Sequence, residues 1–297
     1  MSVFIVLFGA FSYALSEIIY GYLCNNQFKN PVTLTFFASI INFLFLPLIF
    51  FWGIPTIPPL NVIPAYIALG IIMVLVQIPA YQAFKENDTS VVNCLWSLGK
   101  VILPFAAFLF LGEKLSWHQY LGFFLIIFSN IFLNFDASAK SKLNLAFFLM
   151  LGCSLFNTAC SVIEKYILNE DTNWINLIVY VNIFSTMVTS LLLLNKKIRT
   201  DIVKHTPVFT LCWKHFIGAE ILSFIGHCCG IYALSKLPLV VKSALSSTES
   251  AFILVLSLFM IKVLNFNLKE KVNKKDILRK FICFSFVIIG VILSAKS

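Results

Sequence analysis

Charge is scarce in this chain. Only 12% of its 297 residues are Asp, Glu, Lys or Arg, against roughly 25% in a soluble domain, and that shortage excludes a water-soluble globular core. Arginine is nearly absent: Arg199 and Arg279 stand alone. No Gly-rich phosphate loop ending in Gly-Lys-Ser/Thr occurs, so ATP does not drive the protein directly. The four histidines (His118, His205, His215 and His227) are scattered, and none joins a cysteine at a metal-ligand spacing. The eight cysteines (Cys24, Cys94, Cys153, Cys160, Cys212, Cys228, Cys229 and Cys283) fall within or at the edges of apolar runs. They read as small packing residues, not as a disulfide framework. No cofactor and no metal are expected. The net charge of +9 sits mainly at Lys196 to Lys204 and Lys269 to Lys280. Basic segments beside membrane helices meet lipid head groups, and nothing here points to nucleic acid.

Apolar sequence fills the rest, with 60% hydrophobic residues. About 20 apolar residues cross the hydrocarbon, which predicts spans near 3–24, 31–52, 62–84, 89–111, 117–135, 144–168, 174–194, 208–234, 239–264 and 279–295. The first span carries Glu17 and lacks a basic leader and a small-residue cleavage site, so it reads as a retained helix. The chain also reads twice. Ala80-Tyr81-Gln82-Ala83 followed by Ser90-Val91-Val92 is echoed by Gly230-Ile231-Tyr232-Ala233-Leu234 followed by Val240-Val241. Each block lies third to fourth in a run of five spans. Two copies of an odd-numbered unit enter the bilayer from opposite sides, the inverted repeat of many alternating-access transporters. The expectation is an all-α membrane protein of ten transmembrane helices, in which residues 1–138 and 139–297 form two inverted five-helix repeats around a central cavity.

Ionisable groups in hydrocarbon cost about 2.5–3.5 kcal/mol each on insertion scales, so those at mid-span mark protein, water or ligand. Lys100 lies mid-way along the fourth span, and Glu249 holds the corresponding position of the ninth. One cation and one carboxylate at the midplane suit a zwitterion or a proton-coupled substrate; the structural alternative is a buried ion pair that fixes helix register. Asn93, Trp96, Ser97, Lys100 and Pro104 recur at three- and four-residue steps, as do Lys242, Ser246, Glu249 and Ile253, so each set shares one helix face. Glu220, Ser223 and His227 do the same on the eighth span. Gln77 and Tyr81 come from the third, and Tyr13, Ser16, Glu17 and Tyr20 from the first. Glu17 and Glu164 fall toward span ends, where interfacial placement and a functional role weigh equally. Lys165, Lys214 and Lys262 are expected to snorkel. The predicted substrate-binding set is Lys100, Glu249, Glu220, Gln77, Tyr81, Asn93, Trp96, Ser97, Ser246 and His227. Pro79 and Pro104 within spans three and four predict kinks.

Ala80 to Phe84, Ser90-Val91-Val92, Leu111-Gly112-Glu113-Lys114-Leu115 and Gln119 to Gly122, in that order, resemble the ten-helix EamA-type branch of the drug/metabolite transporter superfamily. The second half departs from the pattern in two places: Glu249-Ser250 stands where many relatives have Glu-Pro, and Lys262-Val263 replaces the second Gly-Glu. The resemblance implies a ten-helix basket with helices one, three, four, six, eight and nine around the cavity. It also implies a homodimer through helices five and ten, and transport of small metabolites.

Basic residues concentrate in alternate loops, which by the positive-inside rule puts both termini outside; the resemblance implies both inside. A reporter fused at Ser297 and assayed on each side of the membrane decides between them. The expected function is secondary active transport of a small polar, charged or zwitterionic metabolite, such as an amino acid or amine. The partners are that solute and membrane lipid. The alternatives are a channel, which lacks a pore loop or charged ring here, and a membrane-embedded enzyme, which lacks a paired nucleophile and base. The Phe-, Asn- and Lys-rich usage suggests an AT-rich genome and a bacterial inner membrane.

Overall fold

The computed structural model describes residues 1–28, 30–86, 100–134 and 145–263, with 282, 285–286 and 288–293. Helices form α1 (Ser2–Asn26), α2 (Pro31–Phe45, extended by a 3-10 segment Leu46–Phe51), α3 (Ile63–Glu86), α4 (Leu103–Leu111) and α5 (Trp117–Asn134). They continue as α6 (Leu145–Glu170), α7 (Trp174–Leu191), α8 (Lys196–Leu234), α9 (Leu239–Ser246) and α10 (Glu249–Val263). No strand occurs among the described residues. Among the described residues six segments are long and apolar enough to cross a membrane: Ser2–Cys24, Pro31–Phe51, Leu60–Ala83, Trp174–Leu194, Lys196–Leu234 and Leu239–Ser257. The protein is an integral membrane protein. The expected fourth span before Lys100, the link 135–144 and about half of the tenth span lie outside the described residues.

Asparagine starts three of the helices. Asn30 accepts from Val32 N at 3.0 Å with Pro31 at the first helical position. Asn173 accepts from Ile175 N at 3.2 Å, and Asn195 from Lys197 N at 3.0 Å. Each carboxamide oxygen meets an otherwise unpaired N–H of a first turn. The Asn195 cap explains one departure from expectation. The basic stretch from Lys196 to Lys204 is the first three turns of α8, not a loop, and the helix runs 39 residues through Pro207. The ninth span departs as well: it is interrupted at Ser247-Thr248, where the chain turns between α9 and α10. Ser247 Oγ donates to Ser243 O at 2.8 Å and Thr248 Oγ1 to Leu245 O at 2.7 Å, back-bonding that bends helices. In the fourth span the chain turns at Val101-Ile102 before α4, with Pro104 in its first turn. Pro79, by contrast, lies inside the uninterrupted α3.

Packing runs between the halves of the chain. α1 lies antiparallel along α8, α3 packs on α6 and α7, α2 packs on α7 and α8, and α10 on α1. Burial of apolar surface drives little of this in lipid; close backbone approach does. A Cβ on Gly9 would sit 2.9 Å from Cys229 Cβ, and one on Gly70 would sit 2.7 Å from Phe184 Cβ and 3.0 Å from Ser185 N.

The Leu-Gly-Glu motif has a structural role. Gly112 adopts φ 67° and ends α4, a left-handed conformation that favours glycine. The turn delivers Glu113 to the start of α9, where both carboxylate oxygens accept from Leu239 N at 2.9 Å. Lys165 does not snorkel: its Nζ donates to Leu234 O at 2.9 Å and Leu237 O at 3.0 Å, closing the end of α8. A carboxylate at a helix N-terminus and an ammonium at a C-terminus both oppose the helix dipole favourably. Glu113→Ala is expected to lower stability by about 0.5–2 kcal/mol, the usual cost of losing an N-terminal cap. Thermal melts in detergent measure it.

Candidate functional site

Among the described residues the helices line a cavity of about 370 Å³. Each of α1, α2, α3, α6, α7, α8, α9 and α10 contributes residues, together with Lys100. Its ionisable groups are Glu17, Glu164, Glu220, Glu249, Lys100, Lys242 and His227, in a site whose low dielectric strengthens every charge contact.

The groups fall in layers along α8. Lowest is Glu220, 2% exposed. Its Oε1 accepts from Tyr20 OH and its Oε2 from Asn42 Nδ2 at 3.1 Å. Ser16 Oγ donates to the adjacent Ala219 O at 2.8 Å, fixing α1 against α8. Two turns higher, Tyr13 OH and His227 Nδ1 are 3.3 Å apart. Glu249 lines the cavity with Glu17 and lies in the field of Lys100 and Lys242. Lys100 Nζ donates to Ser247 Oγ at 3.1 Å, so the interruption of the fourth span meets the interruption of the ninth. Uppermost, the Lys242 ammonium lies 3.8 Å from where a Cβ on Gly230 would be. Ten residues of helix separate Glu220 from Gly230, or about 15 Å of rise.

Seven of the ten residues expected at the site line this cavity: Lys100, Glu249, Glu220, Gln77, Tyr81, Ser246 and His227. Asn93, Trp96 and Ser97 fall outside the described residues. Glu17 and Glu164, which sequence placed toward span ends, face the same cavity, as does Lys242. Asn42, Asn157, Ser161, Asn182 and Ser185 line it too and were not anticipated. Asn157, Ser161 and Glu164 stand at four- and three-residue steps, a polar stripe on α6 that was there to be read.

Below Glu220 an aromatic plug packs at one end of the cavity, against the lining residues Tyr20 and Tyr81. Phe37 and Phe209 stack at 4.6 Å between centroids and 10° between planes. Phe216, fully buried, contacts Phe28 at 5.5 Å, Phe209 at 5.4 Å and Tyr20 at 6.1 Å. Tyr20 in turn lies 5.3 Å from Tyr81. The plug is drawn from α1, α2, α3, α8 and the α1–α2 turn.

A model of the EamA-like transporter family matches residues 1–135. The match spans less than half of the chain and marks these residues as similar to that family. The family lies in the drug/metabolite transporter superfamily, and its members are membrane transporters. A solved structure described as "Crystal structure of protein" has a TM-score of 0.66 against this chain, covering 98% of it and 96% of its own length at 13% identity. That likeness is one of fold. Among curated proteins none matches.

Proposed function

We propose that this EamA-type chain is a secondary active transporter of a small charged or zwitterionic metabolite, an amino acid or amine-like solute, working by alternating access. The observation that carries the reading is the meeting of Lys100, which lines the cavity with Glu249, and Ser247 at the interruptions of two spans. Broken helices that present opposite charges at mid-depth give both ends of a zwitterion a partner. Lys100 would take an anionic group, and Glu249 and Glu220 an amine. Gln77, Tyr81, Ser246 and His227 would shape the pocket. Two carboxyls, Glu17 and Glu249, line the same cavity, and that pair is the natural place for proton coupling.

The packing supports two equivalent five-helix units, 1–138 and 139–297. Exchanging each span for the one five places along converts the α1–α8 contact into α6–α3, α3–α7 into α8–α2, and the contact of α1 with the ninth span into that of α6 with the fourth; all of these pairs pack. The expected location is a bacterial inner membrane, with dimers through helices five and ten.

The test is a thermal-shift screen of the purified protein against amino acids, amines, nucleotides and sugars. A solute held in the cavity stabilises the folded state by mass action. Amino acids or amines are expected to raise the melting temperature of the wild type and to raise it less in Glu220→Gln. A shift with neutral sugars alone would contradict the charged-solute reading.

A further inference from the structure

α8 is too long for the membrane it crosses. Its 39 residues rise about 58 Å, against a hydrocarbon thickness of about 30 Å. The stretch from Val208 to Leu234 suffices to span, and it reaches past the cavity on both sides. Residues from Lys196 to Pro207 therefore project at the plugged end of the cavity.

The two faces of this projection differ. The inner face grips the plug. Ile198 and Ile202 pack into the aromatic cluster, Phe28 stacks on His205 at 6.3 Å, and Asn30 Nδ2 donates to Asp201 Oδ2 at 3.1 Å. The outer face carries Lys196, Lys197, Arg199 and Lys204, all exposed. Further along, the exposed residues turn apolar: Val203 is 67% exposed and Leu211 80%. The change from ammonium groups to bare aliphatic surface within about two turns matches the passage from head groups to acyl chains. Clustered basic residues at that depth attract anionic head groups.

We propose that the helical projection Lys196–Pro207 is a binding site for anionic phospholipid, whose head groups engage the outer basic face and thereby hold the inner face on the aromatic plug. The lipid stabilises the plugged end of the cavity without entering it. The site is independent of the transported solute, because none of these side chains lines the cavity.

The test uses the full chain, delipidated in non-ionic detergent. Phosphatidylglycerol, phosphatidylcholine and inorganic phosphate are each titrated while melting temperature is followed. Alkylation of Cys212, which is buried in the plug cluster, is followed by peptide mass mapping. Phosphatidylglycerol is expected to raise the melting temperature and to slow Cys212 alkylation several-fold; the other two additions do neither. A variant combining Lys196→Gln, Lys197→Gln, Arg199→Gln and Lys204→Gln is expected to need at least about tenfold more phosphatidylglycerol for the same shift. The charge-preserving set Lys196→Arg, Lys197→Arg, Arg199→Lys and Lys204→Arg keeps the response and controls for folding. An unchanged response in the glutamine variant, an equal shift from phosphatidylcholine, or the same shift from inorganic phosphate would each overturn the lipid site. A melting shift with no change at Cys212 would overturn its hold on the plug.

Discussion

Glu249→Gln reconstituted in proteoliposomes is expected to take up the transported solute about 30-fold more slowly than wild type, or worse. The carboxyl lines the cavity with Glu17 and lies in the field of Lys100 and Lys242. Losing one member of a desolvated charge contact costs about 2 kcal/mol or more, and glutamine preserves shape while removing the charge. Lys100→Ala is expected to fail similarly, because Ser247 Oγ loses its ammonium donor and the anionic end of the solute loses its partner. Melting temperature separates the two causes of failure: a folded, inactive Glu249→Gln protein supports the site, whereas a variant that loses its fold places the residue in the architecture. Full uptake in both variants would remove them from the substrate path.

Gly226 and Gly230 lie one turn apart on α8, and the same substitution should have opposite effects at the two. A Cβ on Gly226 would lie 2.7–3.0 Å from three atoms of the Tyr13 ring, so Gly226→Ala must displace that ring and its contact with His227 Nδ1. Overpacking of this kind costs about 1–3 kcal/mol, and the displaced ring borders the cavity, so uptake should fall too. A Cβ on Gly230 would meet only the Lys242 side chain, at 3.7–3.8 Å, which is ordinary contact. Gly230→Ala should be neutral or stabilising by about 0.5–1 kcal/mol, the usual gain of alanine over glycine within a helix. Paired melts and uptake assays read both. Equal outcomes for the two variants would contradict the packing of Tyr13 against α8.

Sequence reading singled out the residues that are costly to place. Glu220, Glu249 and Lys100 stood out because charge in hydrocarbon demands a reason, and all three line one cavity. Glu17 and Glu164 were harder because distance from a span end is a poor guide to depth when helices differ in length and tilt. Asn42, Asn182 and Ser185 carried too little cost to be noticed, since small polar residues are common wherever membrane helices pack. The aromatic plug was invisible among 32 phenylalanines, most of which fill the bundle or face lipid; its members come from separated segments and meet only in the fold. The projection of α8 was misread as a loop because a basic run ending in Pro207 has the composition of one. The Asn195 cap and the inward spacing of Ile198 and Ile202 were the signals that favoured a helix. The interruption of the ninth span left no proline to find, only Ser247 and Thr248 bonding back to their own helix.

Solute counterflow tests the central claim most directly. Proteoliposomes preloaded with unlabelled amino acids or amines are diluted into trace labelled solute, and accumulation is followed in the wild type, Lys100→Ala and Glu249→Gln. The account predicts trans-stimulated accumulation of at least one charged or zwitterionic solute by the wild type, with loss in both variants. Trans-stimulation that survives in both, or a flux that never responds to the solute on the far side, would contradict a carrier built around this cavity.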